Sequence, residues 1–291
     1  RHLTIGGGIE GNPGIRSLNG QHPYFLGTDR YLAEDFFRPG FTSGVWARGE
    51  MFPAMNYRVM IGSNLSLIGI NAAELTRDLA YGATVFWMPT TGEFGPRGGF
   101  GDYEMHERLA TRFGFSTVYS REDRFNQVTV SDPENTLIHL SDGTLLFETG
   151  SLADGVTVQK ADYKILSLDA AMKYRGTFAH FEYYLRWLGR FEATGPLPLD
   201  AIFDHGFSLL AAHQLFPKKF ELYGSLSYIF GEFNRSYEVT SGGNYYPFNT
   251  RNFRINGSVS YVDHSAYGTL FGYFVEGQTG AIIALSTDLF F

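Results

Sequence analysis

Apolar and polar residues alternate along most of the chain. In one segment Phe253, Ile255, Gly257, Val259 and Tyr261 share one parity, and Arg254, Asn256, Ser258 and Ser260 share the other. Phe181, Tyr183, Leu185 and Trp187 alternate with His180, Glu182, Tyr184 and Arg186, and Leu166, Leu168, Ala170, Met172 and Tyr174 with Ser167, Asp169, Ala171 and Lys173. A period of two is the mark of a β-strand with one apolar and one polar face. The pattern predicts strands over 2–9, 41–50, 55–63, 79–88, 108–119, 163–174, 177–190, 205–215, 219–230, 237–246, 252–263 and 281–291, twelve in all. Segments 79–88 and 205–215 are apolar on both parities, so the pattern leaves their facing open.

Connection lengths add a second signal. Short links (Met51 to Ala54, Arg175-Gly176, Phe216 to Lys218, Pro247 to Arg251) alternate with long ones at 10–40, 64–78, 120–162, 191–204 and 264–280. Tight turns at one end and long loops at the other are the habit of an up-and-down barrel in an outer membrane. The Gly-rich link 89–107 fits neither class. Aromatics gather beside the short turns (Phe52, Tyr57, Tyr174, Phe178, Phe216, Phe220, Tyr246, Phe248, Phe253, Phe291) and near the long loops (Tyr119, Tyr163, Trp187, Tyr228, Tyr261). Two such bands suit interfacial girdles.

Composition agrees. The 291 residues include 27 Phe, 18 Tyr, 35 Gly and no Cys, with 18% charged residues and a net charge of −7. So much Gly argues against a helical protein, at about 1 kcal/mol per helix position. Absent Cys excludes disulfides, thiolate metal sites and Cys nucleophiles. No basic footprint points to nucleic acid. The polar parity holds Ser, Asn, Gly and Thr with isolated Arg and Glu, which suits a wet lumen better than the Lys- and Glu-rich face of a soluble sandwich. A sheet in lipid must close, because lipid cannot satisfy a free edge. The chain opens with Arg1, so either a leader was removed or this residue lies inside a longer protein, and Phe291 on the apolar parity of the last strand fits a barrel-insertion signal.

Several blocks carry a resemblance. Thr28 to Gly40 followed by Gly44-Val45, Asp204-His205-Gly206-Phe207 through the Pro217-Lys218-Lys219 turn to Leu222, and Gly243 to Phe248 with Arg254-Ile255-Asn256 resemble, in order, segments of the phosphate-selective porin O and P family. The resemblance implies a trimeric transmembrane antiparallel up-and-down β-barrel of about sixteen strands, about twelve of them in this chain. Residues 1–291 are then a single barrel domain lacking its N-terminal strands; a complete twelve-stranded barrel is the rival. Outer-membrane lipid and lipopolysaccharide are the expected surroundings, and no cofactor is implied. Family members of the phosphate type line the lumen with a basic ladder. Here the polar parity offers Arg48, Arg58, Arg112, Lys173, Arg186 and Arg254 against Glu50, Asp169, Glu182, Glu221 and Asp288, which is no anion funnel.

The expected function is a porin, a water-filled channel for passive diffusion of small hydrophilic solutes or ions, anions such as phosphate among them. Its lining is expected at Arg48, Glu50, Arg58, Arg112, Asp169, Lys173, Glu182, Arg186 and Arg254, with Arg186 and Glu182 as a lumenal pair. Loop 10–40 is the candidate constriction. Asp29 would cap a short helix through Phe37, and Arg30, Glu34, Asp35 and Arg38 would meet Arg48, Arg58 and Arg112, or else pin the loop to the wall. The long outer loop 120–162 carries Arg121, Glu122, Asp123, Arg124, Asp132, Glu134, Asp142 and Glu148, most simply a solvated surface, with a small hairpin expected from 144–147 and 153–158. Gly6 to Gly11 matches G-x-G-x-x-G, but Asn12-Pro13-Gly14 follows where a nucleotide site needs a helix. The eight His are scattered without metal spacing, and no hydrolase motif occurs. A barrel-based enzyme or adhesin, and a soluble all-β binding module, remain the alternatives.

Overall fold

Each alternating segment folds as a strand, and the strands pair in chain order. The computed structural model describes residues 3–19, 24–65, 78–124, 137–268 and 273–290. It contains β1 (Thr4–Gly11), β2 (Phe41–Phe52), β3 (Met55–Gly62), β4 (Ala80–Trp87), β5 (Ala110–Asp123), β6 (Val158–Tyr174), β7 (Thr177–Ala193), β8 (Ala201–Phe216), β9 (Phe220–Phe230), β10 (Arg235–Tyr245), β11 (Phe253–Asp263) and β12 (Gly280–Leu289). All twelve form one antiparallel up-and-down sheet, with β1 and β12 as its two edges. No pairing joins those edges among the described residues. Phe291, the expected insertion signal, lies outside the described residues.

The alternation sorts residues between two faces. On β6, Leu168 and Met172 are exposed outward while Ser167, Asp169 and Lys173 are buried inward. β8, ambiguous by pattern, turns Phe203, Leu209 and Leu215 outward and Asp204, Ser208 and Gln214 inward. The aromatic bands need correction. Tyr163, Phe178 and Tyr246 point inward and are buried, the first two in the clusters with the inserted loops and Tyr246 against the Tyr103 ring, whereas Trp187, Tyr261, Phe52, Phe216 and Phe248 stay on the outer surface.

The interior is filled from both ends. From the long-connection end come 12–19 and 24–40, with a 3-10 turn at Arg16–Leu18 and the helix α1 (Leu32–Phe37). The helix is shorter than expected. Tyr31, not Asp29, stands at its cap and offers no side-chain cap, because the Asp29 carboxylate takes the Arg30 N–H at 2.8 Å instead. Leu32, Phe36 and Phe37 pack with Ile138, Leu140, Leu146 and Phe147 of the outer loop and with Val118, Ile165 and Leu188 of the wall. The described part of that loop, from 137 on, packs inward against the helix and the wall. Its own pairing runs between Leu140 and Thr144 and between Ile138 and Leu146, so 144–147 pairs with the segment before it and not with 153–158. Asp132 and Glu134 lie outside the described residues.

The link 88–109 enters from the short-turn end. Phe94 and Phe100 are buried against Phe25, Leu26, Phe178 and Leu210. The two insertions meet in mid-lumen, where Phe100 N–H donates to Tyr24 O at 2.8 Å and Arg16 Nη2 donates to Gly98 O at 3.0 Å. Arg16 stacks on Phe100 with 4.5 Å to the ring centroid, a cation–π contact in a dry setting.

Candidate lumenal groove and the residues that hold its inner wall

Strand register sets one level ring of inward side chains. Thr4 lies opposite Arg48, Arg48 opposite Arg58, and Arg58 opposite Thr84. Two arginines facing each other across a strand pair repel unless something compensates. Glu10 does so for Arg58 at 3.1 Å, and the Arg58 Nη2 also donates to Gly11 O at 3.0 Å. The Arg48 guanidinium lies over the Trp46 ring, 4.7 Å from its centroid. Glu50 accepts the Ala54 N–H of the β2–β3 turn at 2.9 Å, where Ala54 has a φ of 64°.

A groove of about 720 Å³ runs along this face. Thr4, Glu10, Arg48, Glu50, Asn56, Arg58 and Thr84 line it from the sheet, and Asn19 and Arg97 from the two inserted segments. Its lining is mixed, with Tyr57 and Phe86 beside three guanidinium groups and two carboxylates. Charges facing each other across a passage set a barrier or a well for ions.

Of the nine expected lining residues, Arg48, Glu50 and Arg58 border the groove. The other six face inward and are buried, and four of them, Lys173, Glu182, Arg186 and Arg254, hold the inserted segments. Arg112 is paired with Asp169, and a Cβ at Gly114 would strike that carboxylate, so glycine leaves room for the pair. Lys173 Nζ donates to Phe94 O at 2.9 Å. Arg254 pairs with Asp288 at 2.6 Å and donates to Phe25, Leu26 and Gly27 carbonyls. Arg186 and Glu182 do not pair. Arg186 reaches across the strand to Asp204 at 2.7 Å and donates to Phe36 O and His139 O, while Glu182 accepts the Arg16 N–H at 2.9 Å.

The charged residues of 12–40 also find partners other than those expected. None of Arg30, Glu34, Asp35 or Arg38 is paired with Arg48, Arg58 or Arg112. Arg38 binds Asp35 at 3.3 Å and Tyr267 Oη at 3.1 Å, and Arg30 Nε donates to Ser17 Oγ at 3.4 Å. The reason is length. The insertion runs past the groove and seats α1 deeper, against β8, β9 and β10. Burial, reinforced by Glu182, raises the Glu34 carboxyl from 4.5 to about 8. Burial likewise raises Asp35 from 3.8 to about 6, against the pull of Arg38.

Sequence reasoning missed Glu10, Asn19, Thr84, Arg97 and Arg16. Glu10 stood inside the rejected glycine motif, and Arg16 was one cation in a loop without period. It also missed a cluster near the short turns, where ligand atoms of Asp102, Glu104 and His106 lie within 4.8 Å of one another. His106 is held between Asp102 at 2.5 Å and Glu93 at 2.9 Å, and Glu104 by Arg251 at 2.8 Å. These groups therefore fasten the insertion 88–109 to itself and to the β10–β11 turn.

No family model matches the sequence, and no curated protein is similar to it. Solved structures are. An anion-selective porin from Comamonas acidovorans matches 98% of this chain and 74% of its own, at 11% identity and a TM-score of 0.55. OmpT of Vibrio cholerae, an outer membrane protein solved as a loop L8 deletion mutant, matches over 90% and 71%, at 14% identity and a TM-score of 0.53. The high-pH structure of Pseudomonas putida OprB matches over 98% and 69%, at 11% identity and a TM-score of 0.50. At these identities the likeness establishes a shared β-barrel architecture.

Proposed function

We propose that the chain forms a bacterial outer-membrane channel in which small hydrophilic solutes or ions diffuse passively along the β1–β4 groove. The groove itself carries the reading, since it is an open space of about 720 Å³ between the sheet and two inserted segments, lined by three guanidinium groups and two carboxylates. The outer face supports it, being rich in Leu, Ile, Val and aromatics as lipid requires. The fold shared with three outer-membrane proteins, one of them an anion-selective porin, points the same way.

An unpaired sheet edge in hydrocarbon costs several kcal/mol per group. We therefore take the seam between β1 and β12 to be closed by further strands, giving roughly sixteen in the working barrel. Such closure would wall the groove on its open side. The lining, with three guanidinium groups against two carboxylates, favours anions modestly and contains nothing specific to phosphate.

Planar-bilayer recording of the folded protein in a KCl gradient tests this. The expected result is an ohmic conductance whose reversal potential has the sign of anion preference, moved toward cations by Arg48→Glu. Absence of conductance from protein folded into lipid would defeat the proposal.

A further inference from the structure

Helix α1 carries two acids, Glu34 and Asp35, into the barrel, and both side chains are buried. Neither oxygen of Glu34 meets a protein donor. From its own segment Glu34 faces Arg16, Arg30, Tyr31 and Asp35. From β7 it faces Glu182 and Tyr184. Arg186 of the same strand is committed to Asp204 of β8. Glu238 of β10 borders the helix with its own donors, the Leu32 N–H at 2.7 Å and the Thr240 hydroxyl at 2.5 Å. Glu182 is likewise engaged, by the Arg16 N–H at 2.9 Å and the Tyr184 hydroxyl at 3.3 Å. β9 contributes the apolar Ile229. His139 of the outer loop faces Asp35. The seat of α1 is thus apolar, with acids and arginines around it, but neither Arg16 nor Arg30 bonds the Glu34 carboxyl, and the wall carboxylates already hold donors.

We propose that α1 is a pH-released latch, seated in the barrel with Glu34 as the neutral acid and expelled when Glu34 ionises beside Glu182. The inference concerns the seating of the segment and stands apart from solute passage.

The sign follows from proton counts. Seated, Glu34 keeps its proton up to about pH 8. Released into water, it titrates at its ordinary value of 4.5. Between those values the seated form holds one more proton. The seated-to-released ratio therefore falls about tenfold per pH unit across that window and is level above it. Asp35 acts with the same sign only up to about pH 6.

Hydrogen exchange of the α1 amides tests the latch in the full chain folded in lipid. The reporters are the N–H groups of Asp35 and Arg38, which donate to Tyr31 O and Glu34 O. After division by intrinsic rates, opening should rise about thirtyfold between pH 6 and pH 7.5. In Glu34→Gln it should change little over the same range. A flat profile in the native chain overturns the proposal, and so does an equal slope in Glu34→Gln. If that variant does not fold, Glu34→Met takes its place, and the native profile still decides. Exchange is read whether or not the protein conducts, so failure of the latch and failure of the channel are separate results.

Discussion

Arg186 shows what one residue's position in the pattern reveals and what it conceals. Its parity placed it inside the barrel, and there it lies, with its guanidinium 3.9 Å from the Phe36 ring centroid. Its partner was illegible. The expected mate, Glu182, sits four residues away on the same strand, whereas the actual mate, Asp204, lies on β8, whose segment was apolar on both parities and whose register the sequence does not state. Removing one member of a buried pair strands the other charge. Arg186→Met should destabilise the folded protein by about 3–5 kcal/mol, and the double variant with Asp204→Leu should recover part of that loss. Urea unfolding in detergent micelles measures both. A loss below about 1 kcal/mol would mean that the pair does not help hold the insertion.

At the scale of elements, the strands were legible and the insertions were not. A strand between lipid and a polar interior must alternate, so its period survives in sequence. Residues 12–19, 24–31 and 88–109 bury Ile15, Leu18, Phe25, Phe94 and Phe100 through irregular backbone, which imposes no period. Their apolar residues were the available signal, since a loop exposed to water has no need of so many. The insertions also explain why six of nine expected lining residues are buried, four of them as anchors. The outer face permits a direct check at the middle of β8, where Leu209 is 46% exposed and its neighbour Ser208 fully buried. Leu209→Arg should cost about 2–4 kcal/mol if that face meets lipid. Folding titrations into vesicles would show it, and a neutral result would place the face in water.

For the molecule as a whole, the account rests on the β1–β4 inner face bordering water while the outer face borders acyl chains. The lack of native Cys makes single thiols clean reporters. Val45 is exposed outward on β2, while Arg48 and Glu50 turn toward the groove, and Ala47 shares the parity of Val45. In protein folded into lipid vesicles, a charged membrane-impermeant thiol reagent should label Arg48→Cys and Glu50→Cys and spare Val45→Cys and Ala47→Cys. Equal labelling at all four positions, or the reverse pattern, would contradict the account.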